Sequence, residues 1–241
     1  MEKVTYLVWE RPSRDPDDLQ EQLLRDVAPR LLALEPLGLS INLDDQDAQV
    51  PSPVPLPDDE LPIRAQVSLW LDAHDFRGPF EEIVGEVGVR RAGYLVSEAI
   101  YSDYGRSPSW PQPRDWPDGQ RSPGITTLAV FDKKPGLDDA TFYNHWFAHQ
   151  SPMSEWMQPR CRYVRNMVVL GLTPGAPPTR AIVEEVWPSV GHLTDLKTFF
   201  GARSNQELVD HIRIMTDSMK VFGDMQNFRS FTMSEYLLRT L

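Results

Sequence analysis

The chain has 241 residues, 41% of them apolar, and sets 24 basic against 35 acidic side chains for a formal charge of −11. That balance speaks against a nucleic-acid backbone or an anionic membrane as the main partner, while the apolar share suffices for packed cores. The single Cys161 excludes an intrachain disulfide and a cysteine-rich metal site. No stretch approaches the ~20 apolar residues of a membrane span, and Met1 to Tyr6 lacks the apolar core of a signal peptide. A soluble, cytoplasmic protein is expected.

In chain order, Val4 to Trp9 reads as a strand. Asp17 or Asp18 can cap a helix carrying Leu19, Leu23, Val27 and Leu31 at four-residue steps, which Pro29 should bend or shorten. Leu39, Ile41 and Leu43 alternate as a strand. A loop with Pro51, Pro53, Pro55, Pro57 and Pro62 follows. Then come a strand from Arg64 to Leu71, a short helix around Phe80 to Val87 and a strand from Gly93 to Tyr101. The segment from Ser102 to Gly124 holds five prolines with Trp110 and Trp116, and is expected to pack over one half rather than hang in water.

The second half repeats the order. Ile125 to Phe131 is a strand, Asp138 caps a helix running to about His149, and strands follow at Tyr163 to Leu170 and Ala181 to Trp187. Ser204-Asn205-Gln206-Glu207 is a capping box that opens a longer helix, with Leu208, Ile212, Met215, Met219 and Phe222 on one face. The last strand covers about Phe231 to Leu238. Thr5 and Thr126, like Asp17 and Asp138, are separated by an offset of 121 residues, and Pro29 and Pro152 by 123. This internal repeat implies two βαββαβ units, over 1–104 and 124–241, joined by a Pro/Trp-rich linker over 105–123. The fold class expected is α+β: two tandem ferredoxin-like units that pair through their antiparallel sheets into a barrel within one chain.

Chemistry points to the helix after Asp138. In an α-helical rhythm Phe142, Trp146 and His149 fall at i, i+4 and i+7 and share an apolar face, and Pro152 is expected to break the helix just beyond. His149 would then stand at a helix end among aromatic groups, able to accept and donate protons near neutral pH. At the matching position the first half has Asp26. His145 and His149 also have the i, i+4 spacing of a helical metal pair, but no third ligand suggests itself and no metal is expected.

The segment Lys133-Lys134-Pro135-Gly136, the helix with Phe142 and Trp146, its His149-Gln150-Ser151-Pro152 ending and the strand Tyr163-Val164-Arg165-Asn166 together resemble the EthD domain. That family belongs to the dimeric α/β-barrel superfamily, in which such units pair through their sheets. The resemblance covers the chain from Gly124 onward, and the first half follows it only in outline. It implies a cofactor-independent lyase, dehydratase, cyclase or isomerase acting on a hydrophobic, aromatic or polyketide-like carbonyl compound, with His149 as the proton-transfer group.

By chemistry and position Tyr143 and Tyr163 are candidate partners of His149, and Trp146, Trp156, Arg165, Asn166 and Phe199 candidate substrate contacts. Arg160, Arg162 and Arg165 cluster near one strand start, where a local basic patch could survive. Two further readings stay open. One is a haem protein of the same superfamily with His149 or His192 as axial ligand, and the other a non-catalytic binding or assembly protein. Pairing of two chains into a homodimer is left open as well.

Overall fold

The computed structural model describes residues 1–52 and 54–241, so Pro53 of the proline-rich loop lies outside the described residues. Eight strands close an antiparallel barrel: β1 (Glu2–Trp9), β2 (Gly38–Leu43), β3 (Ile63–Leu71), β4 (Arg90–Ser102), β5 (Ile125–Phe131), β6 (Arg162–Gly171), β7 (Ala181–Trp187) and β8 (Arg229–Arg239). Around it they run β1-β3-β2-β8-β5-β7-β6-β4. Each half thus contributes four neighbouring strands in the same lateral order, and the seams are β2 with β8 and β4 with β6. Closure leaves no open sheet edge. Among the described residues no helix is long and apolar enough to cross a membrane.

Strand alternation gives the barrel two very different surfaces. Inward, one end of the lumen is apolar, with Leu7, Trp9, Ile63, Tyr94, Leu128, Ile182, Phe231 and Met233. The other end is polar. There Lys3 Nζ lies 2.7 Å from Glu98 and 3.2 Å from Glu184, and Arg162 lies 2.9 Å from Glu235. Burial alone would raise the Glu184 pKa, but Lys3, Arg162 and the Asn166 amide outweigh it and hold the carboxyl below its usual range. Two of the three arginines expected as a basic patch, Arg160 and Arg162, are therefore not at the surface; both are buried in ion pairs.

Outward, the sheet is covered by helices. In the first half the helix is built from α1 (Pro16–Glu21), a π turn (Gln22–Val27) and α2 (Ala28–Ala33), followed later by the short α3 (Gly78–Val84). In the second half α4 (Asp139–His145) passes through a π turn (Trp146–Gln150) into α5 (Ser151–Met157). Short α6 (Gly191–Thr194) and α7 (Leu196–Phe199) precede the long α8 (Asn205–Phe222). As the capping box requires, the Ser204 side chain accepts from the Glu207 amide.

Pro152, expected to break its helix, and Pro29, expected to bend or shorten its own, are both carried inside one. Pro29 and Pro152 each sit one residue into the α-helix that follows a π turn, where the missing N–H is tolerated. The wider turn closes with N–H to C=O bonds five residues back, Ala28 to Leu23 and Ser151 to Trp146. The helix from Asp138 therefore does not end near His149 but runs on to Met157.

The 103–124 segment packs as expected. Tyr104, Trp110 and Trp116 meet edge to face, with ring centroids 4.8 Å apart for Tyr104–Trp116. Tyr104 and Ser122 hydroxyls both donate to Glu235 at 2.8 Å, so the segment covers the polar end of the lumen. Gly124 turns the chain into β5 with φ 87°, and a Cβ there would lie 2.0 Å from the Trp187 carbonyl oxygen. Gly124→Ala is expected to lower stability by at least about 2 kcal/mol, read as a drop in the urea midpoint.

Candidate active site

A cavity of about 430 Å³ lies in the second half between the outer face of the sheet and the helices. Its floor is Thr127, Ala129 and Phe131 of β5, Tyr163 of β6, Val183 and Glu185 of β7 and Ser230 of β8. Trp146, Gln150, Ser154 and Gln158 form one wall, and Met215, Thr216, Met219 and Phe222 of α8 form the other. Leu193, Leu196, Phe199 and Phe200 close one end, and Val54 reaches over from the first half.

The floor has polarity along its length. Tyr163, Glu185 and Thr127 are direct cross-strand neighbours on β6, β7 and β5 and make a polar row. The next rows are apolar, Ala129 beside Val183 and then Phe131 beside Ala181. Behind the polar row sits Arg160, only 1% exposed, which donates to Glu185, to Glu155 at 2.9 Å and to Ser154 at 3.0 Å. Its guanidinium also lies over the Tyr163 ring, 4.0 Å from the centroid. Complete burial pulls the Arg160 pKa down, but Glu185, Tyr163 and Glu155 push it up further, and the guanidinium stays charged. Burial also raises the pKa of the Tyr163 phenol, which is therefore protonated at neutral pH. Burial pushes the Cys161 thiol up to about 12, which leaves it unreactive.

Of the residues named from sequence, Trp146, Tyr163 and Phe199 line this cavity. His149 does not: it is exposed on the outer side of the helix. The π turn is the reason. With the turn widened between Trp146 and Gln150, the buried positions run Phe142, Trp146, Gln150, Ser151, Ser154 and Met157, and His149 rotates to solvent. Tyr143 is half-buried against Phe142 and Phe147, outside the cavity lining. Trp156 is 70% exposed, edge-on to His211 of α8 and outside the cavity lining. Asn166 points into the barrel lumen, the opposite face of the sheet, where it donates to Glu184 at 2.9 Å. Arg165 is clamped between Tyr101 and Phe147, 4.8 and 4.6 Å from their centroids, and bonds Ser151, which in turn meets the cavity-lining Tyr163.

Glu185 went unnamed in the sequence reading, and Arg160 was named there only as part of a basic patch. A signal was present: Glu184-Glu185 are adjacent carboxylates inside an apolar strand, and adjacent strand residues point to opposite faces. One had to enter the lumen and the other the helix-covered side. What sequence did not show is that Arg160 would be folded back from the short α5–β6 connection to meet the second.

Among the described residues the first half shows no such site. Positions 123 residues before Trp146, Gln150 and Ser154 are Leu23, Val27 and Leu31, all fully buried in an aliphatic core. The row in β2, β3 and β1 that occupies the corresponding lateral place is Ile41, Val67 and Tyr6. Asp26, which stands opposite His149 in the repeat, is exposed as His149 is, so that substitution lies on solvent faces in both halves.

A haem held by a histidine does not fit this cavity. Among the described residues no histidine or cysteine lines it. His145 instead meets Ser218 at 3.0 Å, His192 meets Ser189 at 3.0 Å, and the buried His211 meets the Phe200 carbonyl at 2.7 Å.

No protein-family model and no curated protein matches the sequence. Solved structures do resemble it. A crystal structure of an anthrone oxidase-like protein superposes with a TM-score of 0.57 at 11% identity, covering 99% of this chain and 93% of that one. A dye-decolorizing peroxidase from Bacteroides thetaiotaomicron gives 0.49 at 9% identity, covering 96% and 92%. The first likeness shows a shared fold, here a closed eight-stranded antiparallel barrel covered by helices.

Proposed function

We propose that this chain is a cofactor-independent acid–base enzyme acting on a hydrophobic ring compound that carries a carbonyl group, the activity that the EthD-like motifs imply. Its ancestry is then two ferredoxin-like units, of which only the second keeps a site. The observation that carries the reading is the Glu185 carboxylate in the floor of an otherwise largely apolar cavity of about 430 Å³. In this reading the proton-transfer group is Glu185 in place of His149.

The chemistry follows from the arrangement. A C–H bond next to the carbonyl, or conjugated with it across a ring as in anthrone, lies over Glu185, the proton passes to its free carboxylate lone pair, and the bonding electrons move through the conjugated system onto the carbonyl oxygen. Gln158 lines the cavity, and among the described residues its side-chain amide has no hydrogen-bond partner, so it is available to donate to that oxygen. Arg160 and Thr127 hold the carboxylate from behind and the side, fixing its orientation. The apolar walls exclude water and strengthen these interactions. Protonated Glu185 then returns the proton to a different carbon, giving an isomer, or to a neighbouring hydroxyl that departs as water. The anthrone oxidase-like neighbour supports a flat, fused-ring ketone as the kind of compound held.

Anthrone itself is the probe. In D2O the wild-type protein should accelerate deuterium entry into its methylene group over buffer, followed by proton NMR. Glu185→Gln should reduce that acceleration by about 10²-fold or more, while His149→Ala retains it. Full acceleration by Glu185→Gln would sink the assignment.

A further inference from the structure

The hydrogen bonds around the cavity define what a ligand must bring. Ser151 Oγ donates its one proton to the Trp146 carbonyl at 2.9 Å and accepts from Arg165 at 3.0 Å. A serine hydroxyl has one proton and two lone pairs. Its remaining contact, 3.1 Å to the Tyr163 hydroxyl, must therefore be a bond that Tyr163 donates. The tyrosine proton points into the protein, and only its oxygen lone pairs are left for the cavity.

The same holds for the other hydroxyls near the polar row. Thr127 accepts from the Trp187 indole at 3.0 Å and donates to Glu185 at 3.3 Å. Ser154 accepts from Arg160 at 3.0 Å and donates to the Ser151 carbonyl at 3.2 Å. Glu185 is itself an acceptor. Gln150 adds a fourth observation: its amide nitrogen is turned to the Met215 sulfur at 2.9 Å, and its Oε1 is buried without a partner among the described residues. A buried, unpaired amide oxygen costs free energy unless something supplies a proton to it. Glu185, Gln150 and Tyr163 thus offer acceptors on neighbouring floor and wall, while the Gln158 amide is a free donor and the Ser230 and Thr216 hydroxyls elsewhere in the lining can donate or accept.

We infer that the cavity takes a polyphenol, a flat ring compound with at least two hydroxyl donors, and that Gln150 is the residue that reads one of them. This rests on the cavity being the working site proposed above, and it deepens that reading by naming the substrate class. A ring compound with ether or carbonyl oxygens at the same places would set acceptor against acceptor and leave Gln150 unpaired, so specificity arises from the rejected analogue as much as the accepted one.

The test is calorimetric titration of the whole chain with 2,7-dihydroxynaphthalene and with 2,7-dimethoxynaphthalene, which share a skeleton but differ in donors. The dihydroxy compound should bind about 10- to 100-fold more tightly. Gln150→Leu, which keeps the bulk of the side chain, should cut that preference by roughly tenfold while its circular dichroism matches the wild type. Tyr163→Phe gives a second arm with the same expected direction. Binding of both compounds with equal affinity overturns the inference and leaves the acid–base reading standing. Loss of anthrone exchange with the preference intact does the reverse. Failure of both naphthalenes to bind overturns the inference together with the assignment of the cavity.

Discussion

Arg160→Ala should destabilise the protein by about 3–5 kcal/mol, read from the urea midpoint at constant m-value. Arg160 is fully enclosed and is the cation that Glu185 and Glu155 share, with Ser154 and the face of Tyr163 completing its surroundings. Removing it leaves two carboxylates with no counter-charge at the edge of an apolar cavity, and uncompensated charge is the costly part of a broken buried pair. Arg160→Met separates charge from packing, since it keeps much of the volume. If charge is the dominant cause, Arg160→Met is nearly as harmful as Arg160→Ala, and adding Glu185→Gln to it recovers part of the loss. A purely additive double variant would show that Arg160 and Glu185 do not act as a unit.

Trp146→Ala should cost about 3–5 kcal/mol as well, for a different reason. Trp146 is buried at the start of the π turn and touches four other rings, with centroids 5.5 Å from Phe131, 5.8 Å from Phe142, 4.9 Å from Phe147 and 6.4 Å from Tyr143. Truncation joins the space of its indole to the cavity it lines. The variant should therefore melt earlier and yet accept a bulkier ring compound than the wild type does. Trp156→Ala is the control, because that exposed indole should change stability by no more than about 0.5 kcal/mol. Equal losses at Trp146 and Trp156 would contradict the placement of the helix.

Much of the architecture was legible in the chain. Apolar and β-branched runs between turn residues located all eight strands to within a few residues, as with Ala181 to Trp187, and the capping box at Ser204 marked the start of α8 where it occurs. Such runs are legible because both faces of most barrel strands are covered, so short apolar stretches bounded by turn residues mark them whatever their partners. The site was legible only in part. Trp146, Tyr163 and Phe199 were recognisable as large groups on covered faces, and they do line the cavity. His149 was misplaced because a seven-residue step shares a face only while the helix keeps 3.6 residues per turn. A π turn depends on how the helix accommodates Pro152 and docks on the sheet, and the α-helical pattern of apolar residues does not reveal it.

What the sequence by itself determined is the set of elements, their order in both halves, and the acidic, apolar-cored character of the chain. Those follow from periodicity, caps, prolines and composition, each read within a few neighbouring residues. Tertiary structure alone decided where the candidate site lies. Closure of the barrel sends Glu184 to the lumen and Glu185 to the helix side, and the α5–β6 connection brings Arg160 behind the second of them. The first half fills the matching space with Leu23, Val27 and Leu31, while the second leaves it open beneath α8. Whether a helix–sheet interface is full or hollow depends on side chains from several distant segments at once. That sum is made only when the chain has folded.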